Sequence, residues 1–211
     1  MIPTIISLLI LPFIGMGQPV VNTAQLSYHE FSLNNRYGDS FVNNVFKDNI
    51  LLTTAYANGE KIDPAKIDWG KIEKPFQYKL VLKPGETFAF HDDVLPQYIG
   101  KVNKTTNSHF NFQEGFKSDG YLTGDGVCHL ASLLYWVAKD AGLDTLAPTR
   151  HDFAPVPDVP REFGVSIYNY PGKSESNEAQ NLYITNNKNK EITFQFDFDG
   201  DKLSVKVIQS L

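Results

Sequence analysis

Between positions 41 and 56, Val42, Val45, Phe46, Asn49 and Leu52 recur at spacings of three and four, which predicts a helix with one packed stripe. Asp39 or Ser40 stands where an N-cap belongs, and Asn58-Gly59 supplies residues that accept a left-handed stop. Residues 127–141, VCHLASLLYWVAKDA, are apolar round nearly the whole circumference. That predicts a buried central helix, ended by Gly142 with Leu143 as its hydrophobic contact. Strict alternation predicts strands elsewhere: residues 78–82, a Lys83-Pro84-Gly85-Glu86 turn, then 87–90. The C-terminal third reads as a β-meander over 164–169, 181–185, 191–198 and 202–208, with turns at 186–189 and at Asp199-Gly200. Residues 20–35 read as a polar linker or an irregular first strand. Residues 62–76 are a turn region holding Trp69, and 97–123 form a long loop or loose hairpin. The order predicts an α+β fold, with a central buried helix packed on an antiparallel sheet.

The first 17 residues change the picture. Residues 2–14 (IPTIISLLILPFI) are apolar but shorter than the ~20 residues that span a bilayer. They match the length of a signal-peptide core, about 7–15 residues, and Gly15 and Gly17 offer small residues for cleavage after Gly17. The first basic side chain is Arg36, so either the α-amino group supplies the positive charge or Met1 is not the true start. Residues 1–17 are expected to be a signal peptide or membrane anchor, the alternative being a buried N-terminal strand or helix. An exported, extracytoplasmic or membrane-anchored chain follows, touching membrane only through that segment. Residues 18–77 make an N-terminal helical and irregular region.

Composition adds exclusions. The 15 Phe, 10 Tyr and 2 Trp among 211 residues provide a core and exclude a disordered chain. One cysteine excludes an internal disulfide and any multi-cysteine zinc module. A net charge of −5 with scattered Lys and Arg argues against nucleic-acid binding.

That cysteine, Cys128, falls in the first turn of the central helix, behind Gly124-Asp125-Gly126. Unpaired N–H groups and the positive end of the helix dipole favour a thiolate there. The N–H groups of 127–129 would hold an anion, Val127 among them, and Gly124 and Gly126 would let a substrate approach the backbone. A cysteine nucleophile needs a base: His129 and His151 are the candidates, with Asp152 and Asp158 the nearest carboxylates to orient one. The alternative is a plain packing cysteine. Adjacent Cys-His is poor spacing for a tetrahedral metal site, and no cofactor is expected. His91-Asp92-Asp93 reads as a polar turn, and 197–201 as a hairpin turn rather than a calcium loop. Tyr98, Phe110, Phe112, Phe116 and Tyr121 line the long loop, to anchor it or to floor a sugar or peptide groove.

The stretch Gly124-Asp125-Gly126-Val127-Cys128-His129-Leu130-Ala131-Ser132 resembles the core motif of VanW-like proteins, Gly-Gly-Gly-Ile/Val-Cys-Gln followed by a helix rich in small residues. Leu82-Lys83-Pro84-Gly85-Glu86-Thr87-Phe88-Ala89-Phe90 is similar to that family's Leu-x-Pro-Gly-Glu-x-Phe-Ser-Phe. Pro155-Val156, Val159-Pro160 and Asn181-Leu182-Tyr183-Ile184-Thr185-Asn186 follow its downstream order. The resemblance covers 78–211, the expected VanW-like domain. It implies a bacterial cell-envelope setting, with peptidoglycan or another envelope component as partner. The Cys, then His, then Asp order is also similar to transglutaminase-like and papain-like enzymes. Three positions depart from the pattern: His129 replaces Gln, the family histidine falls on Asp152 with His151 one position away, and its Asp falls on Gly164. The resemblance therefore implies one of two functions. One is a cysteine-dependent acyl transferase or amidase on a peptide-like envelope substrate. The other is a non-catalytic cell-wall binding or scaffold module with a degenerate site.

Overall fold

The structure, a computed structural model, describes residues 23–211, so the segment 1–17 lies outside the described residues. In chain order the elements are β1 (Thr23–Ser32), α1 (Ser40–Ala57), α2 (Trp69–Ile72), β2 (Phe76–Leu82), β3 (Thr87–Ala89), β4 (Val102–Lys104), α3 (Val127–Asp140), β5 (Asp144–Leu146), α4 (Ser174–Asn177), β6 (Tyr183–Thr185), β7 (Ile192–Phe198) and β8 (Lys202–Ser210). This is the α+β fold that the patterning predicts. One four-stranded sheet, ordered β1-β8-β7-β2, is antiparallel throughout. The other, ordered β4-β3-β6-β5, is antiparallel except where β4 runs parallel to β3.

The larger sheet follows from its alternation. Ile192, Phe194, Phe196 and Phe198 on β7 and Leu203, Val205 and Val207 on β8 all point to one buried face. The turn between them needs Gly200 at φ +109°, and Asp199 Oδ1 accepts the N–H groups of Asp201 and Lys202 at 2.9 and 2.8 Å. α3 packs on that sheet through β1 and β8, and α1 packs on α3. α1 starts where the sequence places it: Asp39 Oδ1 accepts from the N–H groups of Phe41 and Val42. Its buried face is wider than one stripe, adding Ile50, Leu51 and Thr53 to Val45, Asn49 and Leu52. Among the described residues, no helix is long and apolar enough to cross a membrane.

Of the two readings of residues 20–35 the irregular strand holds: β1 is ten residues long, and its register with β8 runs from Thr23↔Ser210 to Ser32↔Lys202 with a shift between Gln25 and Ser27. Two other sequence expectations are corrected. The C-terminal third is not one meander: β6 leaves the β7–β8 hairpin and joins β3 in the second sheet. Residues 164–169 form no strand beyond an isolated bridge, Arg150↔Val165. The peptide groups there are taken by other partners. Val165 N–H donates to Ser132 Oγ, Ser166 N–H to the Thr149 carbonyl, Ile167 N–H to Cys128 Sγ and Tyr168 N–H to the Gln180 carbonyl.

Arg36 fixes the segment that follows His151. Its buried guanidinium lies 4.2 Å from the Phe31 ring centroid and donates to the carbonyls of Ser32 and Pro157 at 2.7 and 2.9 Å. It also pairs with Asp158. Burial lowers the guanidinium to about 10, which still leaves it charged at neutral pH.

Candidate functional site

The first turn of α3 is shaped by the two glycines before it. Gly124 and Gly126 hold φ of +84° and +96°, a left-handed conformation that side chains resist. A Cβ at 124 would stand 2.8 Å from Phe110 Cβ, and one at 126 would stand 2.7 Å from the Phe46 carbonyl oxygen. The space that the sequence analysis reserves for a substrate is therefore filled by the protein's own Phe110 and Phe46. Asn49 on α1 pins the same loop. It donates to the carbonyls of Lys117 and Asp125 at 3.0 and 2.9 Å and accepts from Lys117 N–H at 2.8 Å. Asp125 turns its carboxylate to the Asp119 N–H at 3.1 Å, and burial raises its carboxyl to about 6.

Cys128 faces the extended segment 165–168. Ile167 N–H donates to Sγ at 3.3 Å, and the thiol donates to the Ile167 carbonyl at 3.4 Å. One turn on, Ser132 Oγ donates to the Cys128 carbonyl at 2.7 Å and accepts from Val165 N–H at 2.9 Å. Burial pushes the thiol up to about 11, and the Asp125 carboxylate adds to the effect. Burial works against the lowering expected at a helix start, while the Ile167 N–H donated to Sγ works for it. The N–H groups of Val127 and His129 already donate to the carbonyls of Gly124 and Gly126, so these two are not free to hold an anion.

His129 is buried, and neither ring nitrogen has a hydrogen-bond partner among the described residues, Nδ1 being fully enclosed. Its ring meets Phe46 edge-on at 5.0 Å and His151 at 6.0 Å. Burial first, then the charges of Arg36 and His151, push it down to about 3. His151 places Nδ1 2.9 Å from the Ala154 carbonyl. A carbonyl only accepts, so Nδ1 carries the proton and Nε2 keeps its lone pair. Burial lowers His151 too, and its ring lies 4.0 Å from that of Phe153.

Gly124, Asp125, Gly126, Val127, Cys128, His129 and His151 all line one cleft of about 110 Å³. No hydrogen bond joins the Cys128 sulfur to either histidine among the described residues. Asp152 is exposed and reaches Arg150 Nε at 3.4 Å, while Asp158 belongs to Arg36. The group orienting His151 is thus the Ala154 carbonyl, which no sequence signal marks. A Cβ at Gly164 would lie 3.1 Å from the His151 carbonyl oxygen, so this position abuts His151. Sequence reasoning also misses Ile167, Ser132 and Phe46. Asn49 had a signal, a polar residue inside a packed helical stripe.

The remaining candidates separate cleanly. His91 is buried, with Nε2 donating to the Gln180 carbonyl at 3.0 Å. His109, not His91, meets carboxylates: Nδ1 lies 2.7 Å from Glu114 and Nε2 3.0 Å from Asp92. Of the loop aromatics, Phe110 and Phe116 are core and Tyr98 stacks on Tyr183 at 4.2 Å, whereas Phe112 and Tyr121 are exposed. A groove of about 620 Å³ between β2 and β4 has no cysteine, histidine or carboxylate in its lining. A family model described as VanW like protein matches residues 77–208. No curated protein and no solved structure matches.

Proposed function

The chain belongs to the VanW like protein family, and on that premise we propose that it works at the cell envelope as a binding module holding part of an envelope polymer at the start of α3. The observation that carries this reading is the enclosure of Cys128, whose sulfur packs against the Ile167 peptide and whose burial outweighs the Ile167 N–H that would favour a thiolate. A nucleophile needs a thiolate, and a thiol raised to about 11 supplies almost none at neutral pH. In this reading residues 1–17 export or anchor the chain, and Cys128 fastens segment 165–168 to α3.

A second reading, a cysteine-dependent acyl transferase or amidase acting on a peptide-like envelope substrate, is favoured by one observation. His151 lines the cleft with Cys128, and its Nε2 lone pair is unengaged. Sedimentation with purified peptidoglycan separates the two. The binding reading expects wild type and Cys128→Ser to be retained equally, with no soluble product released. Release of amine or peptide by wild type alone contradicts it, as does retention lost in Cys128→Ser while the variant stays folded by circular dichroism.

A further inference from the structure

The cleft at Cys128, about 110 Å³, is small against the roughly 300–1,000 Å³ of ligand sites. It does not end there. Phe110, Leu122, Thr123, Tyr168 and Asn169 are shared with an adjoining groove of about 400 Å³, which continues over Phe112, Tyr121 and Tyr170. Five of the ten exposed large apolar side chains among the described residues (Phe112, Tyr121, Leu122, Phe153 and Tyr170) line this continuous surface. Scattered exposed apolar residues need no explanation, but half of them gathered along one groove mark a binding surface.

The groove is also preorganised. Tyr121 is 92% exposed, yet it sits on a tied turn: Ser118 bridges Thr123, and Asp119 Oδ1 accepts the Tyr121 N–H at 2.9 Å. Tyr168 and Tyr170 lie with rings near parallel, 17° apart and 6.3 Å between centroids. The polar groups in the lining of the wider groove are the amides Asn111, Gln113 and Asn169, with hydroxyls of Thr123 and tyrosine, and no charged side chain. Aromatic faces with neutral amides and hydroxyls, and no charge, suit a ligand with apolar C–H faces edged by hydroxyl and amide groups.

We infer that the groove over Phe112, Tyr121, Tyr168 and Tyr170 binds a neutral chain of N-acetylated amino sugars, whose end enters the cleft at Cys128. The inference rests on the binding reading above and assigns the polymer's glycan strand, not its peptide, to this groove. The aromatics stack on sugar faces, and Gln113, the Asn111 Nδ2 and the Asn169 Oδ1 pair with ring hydroxyls and acetamido groups, since Asn111 Oδ1 accepts the Glu114 N–H and Asn169 Nδ2 donates to Asp93.

Calorimetric titration with a β-1,4-linked N-acetylglucosamine tetramer tests it, beside a soluble wall stem peptide and the peptidoglycan sedimentation above. The tetramer is expected to bind wild type. Tyr121→Ala and Tyr170→Ala, both surface changes, each weaken it about tenfold or more, and Tyr170→Phe restores most of the affinity. A tetramer that fails to bind while peptidoglycan is still retained overturns the glycan assignment and leaves the binding reading standing. Loss of both overturns both. Binding of the stem peptide alone, or tetramer binding unchanged in the two alanine variants, also overturns the assignment.

Discussion

His129 adds a titration to the site besides those of Asp125 and His151. In the folded protein burial keeps it neutral down to about 3, whereas an unfolded chain takes a proton near the ordinary value of 6.5. Between these values the unfolded state holds more protons, so stability is full above about pH 6.5 and is lost as pH falls toward 3. One proton sets the ceiling on that slope, about 1.4 kcal/mol per pH unit. His129→Gln removes the titration while keeping a polar side chain. Thermal melts at pH 7, 5.5 and 4.5 should therefore show the gap between wild type and variant closing with acid. A gap constant across the series contradicts the assignment. The sequence shows a histidine beside the cysteine, but not that Phe46 and Arg36 surround it, since those contacts come from other elements.

Elements show what alternation does and does not encode. In 164–169 it marked Val165 and Ile167, both core, but not Ser166, which is buried between them. It carried no information on where the peptide groups bond, and Cys128, Ser132, Thr149 and Gln180 took the partners a strand would have used. β1 shows the converse: its polar composition fits a linker or an irregular strand, and pairing with β8 decides for the strand. The helices were legible because their caps are local, Asp39 at one end of α1 and Gly59 beyond the other. Asn49 links α1 to the glycine loop by three hydrogen bonds to Lys117 and Asp125. Asn49→Ala leaves the Asp125 carbonyl and the Lys117 N–H without a partner, while the Lys117 carbonyl keeps the Gly124 N–H, and each unpaired buried group costs about 1–3 kcal/mol. The expected loss is about 3 kcal/mol in urea denaturation, with faster amide exchange at Lys117. An effect below about 0.5 kcal/mol contradicts that role.

Over the described residues, the first and last strands, β1 and β8, share the larger sheet, and one hydrophobic core joins Phe31 and Ile50 to α3 and to β7–β8. The α+β class, the central helix and the gathering of Cys128, His129 and His151 at one cleft were all legible in the sequence. The state of the thiol was not, because burial by segments far along the chain, 165–168 among them, sets it. The account stands or falls on that state. The rate of iodoacetamide alkylation of Cys128 in the native protein, followed against pH, measures it directly. The account predicts slow reaction at pH 7 and a midpoint well above the ~8.5 of a free cysteine, toward about 11. A midpoint below ~7.5 that moves up in His151→Ala would show an activated cysteine–histidine pair and contradict it.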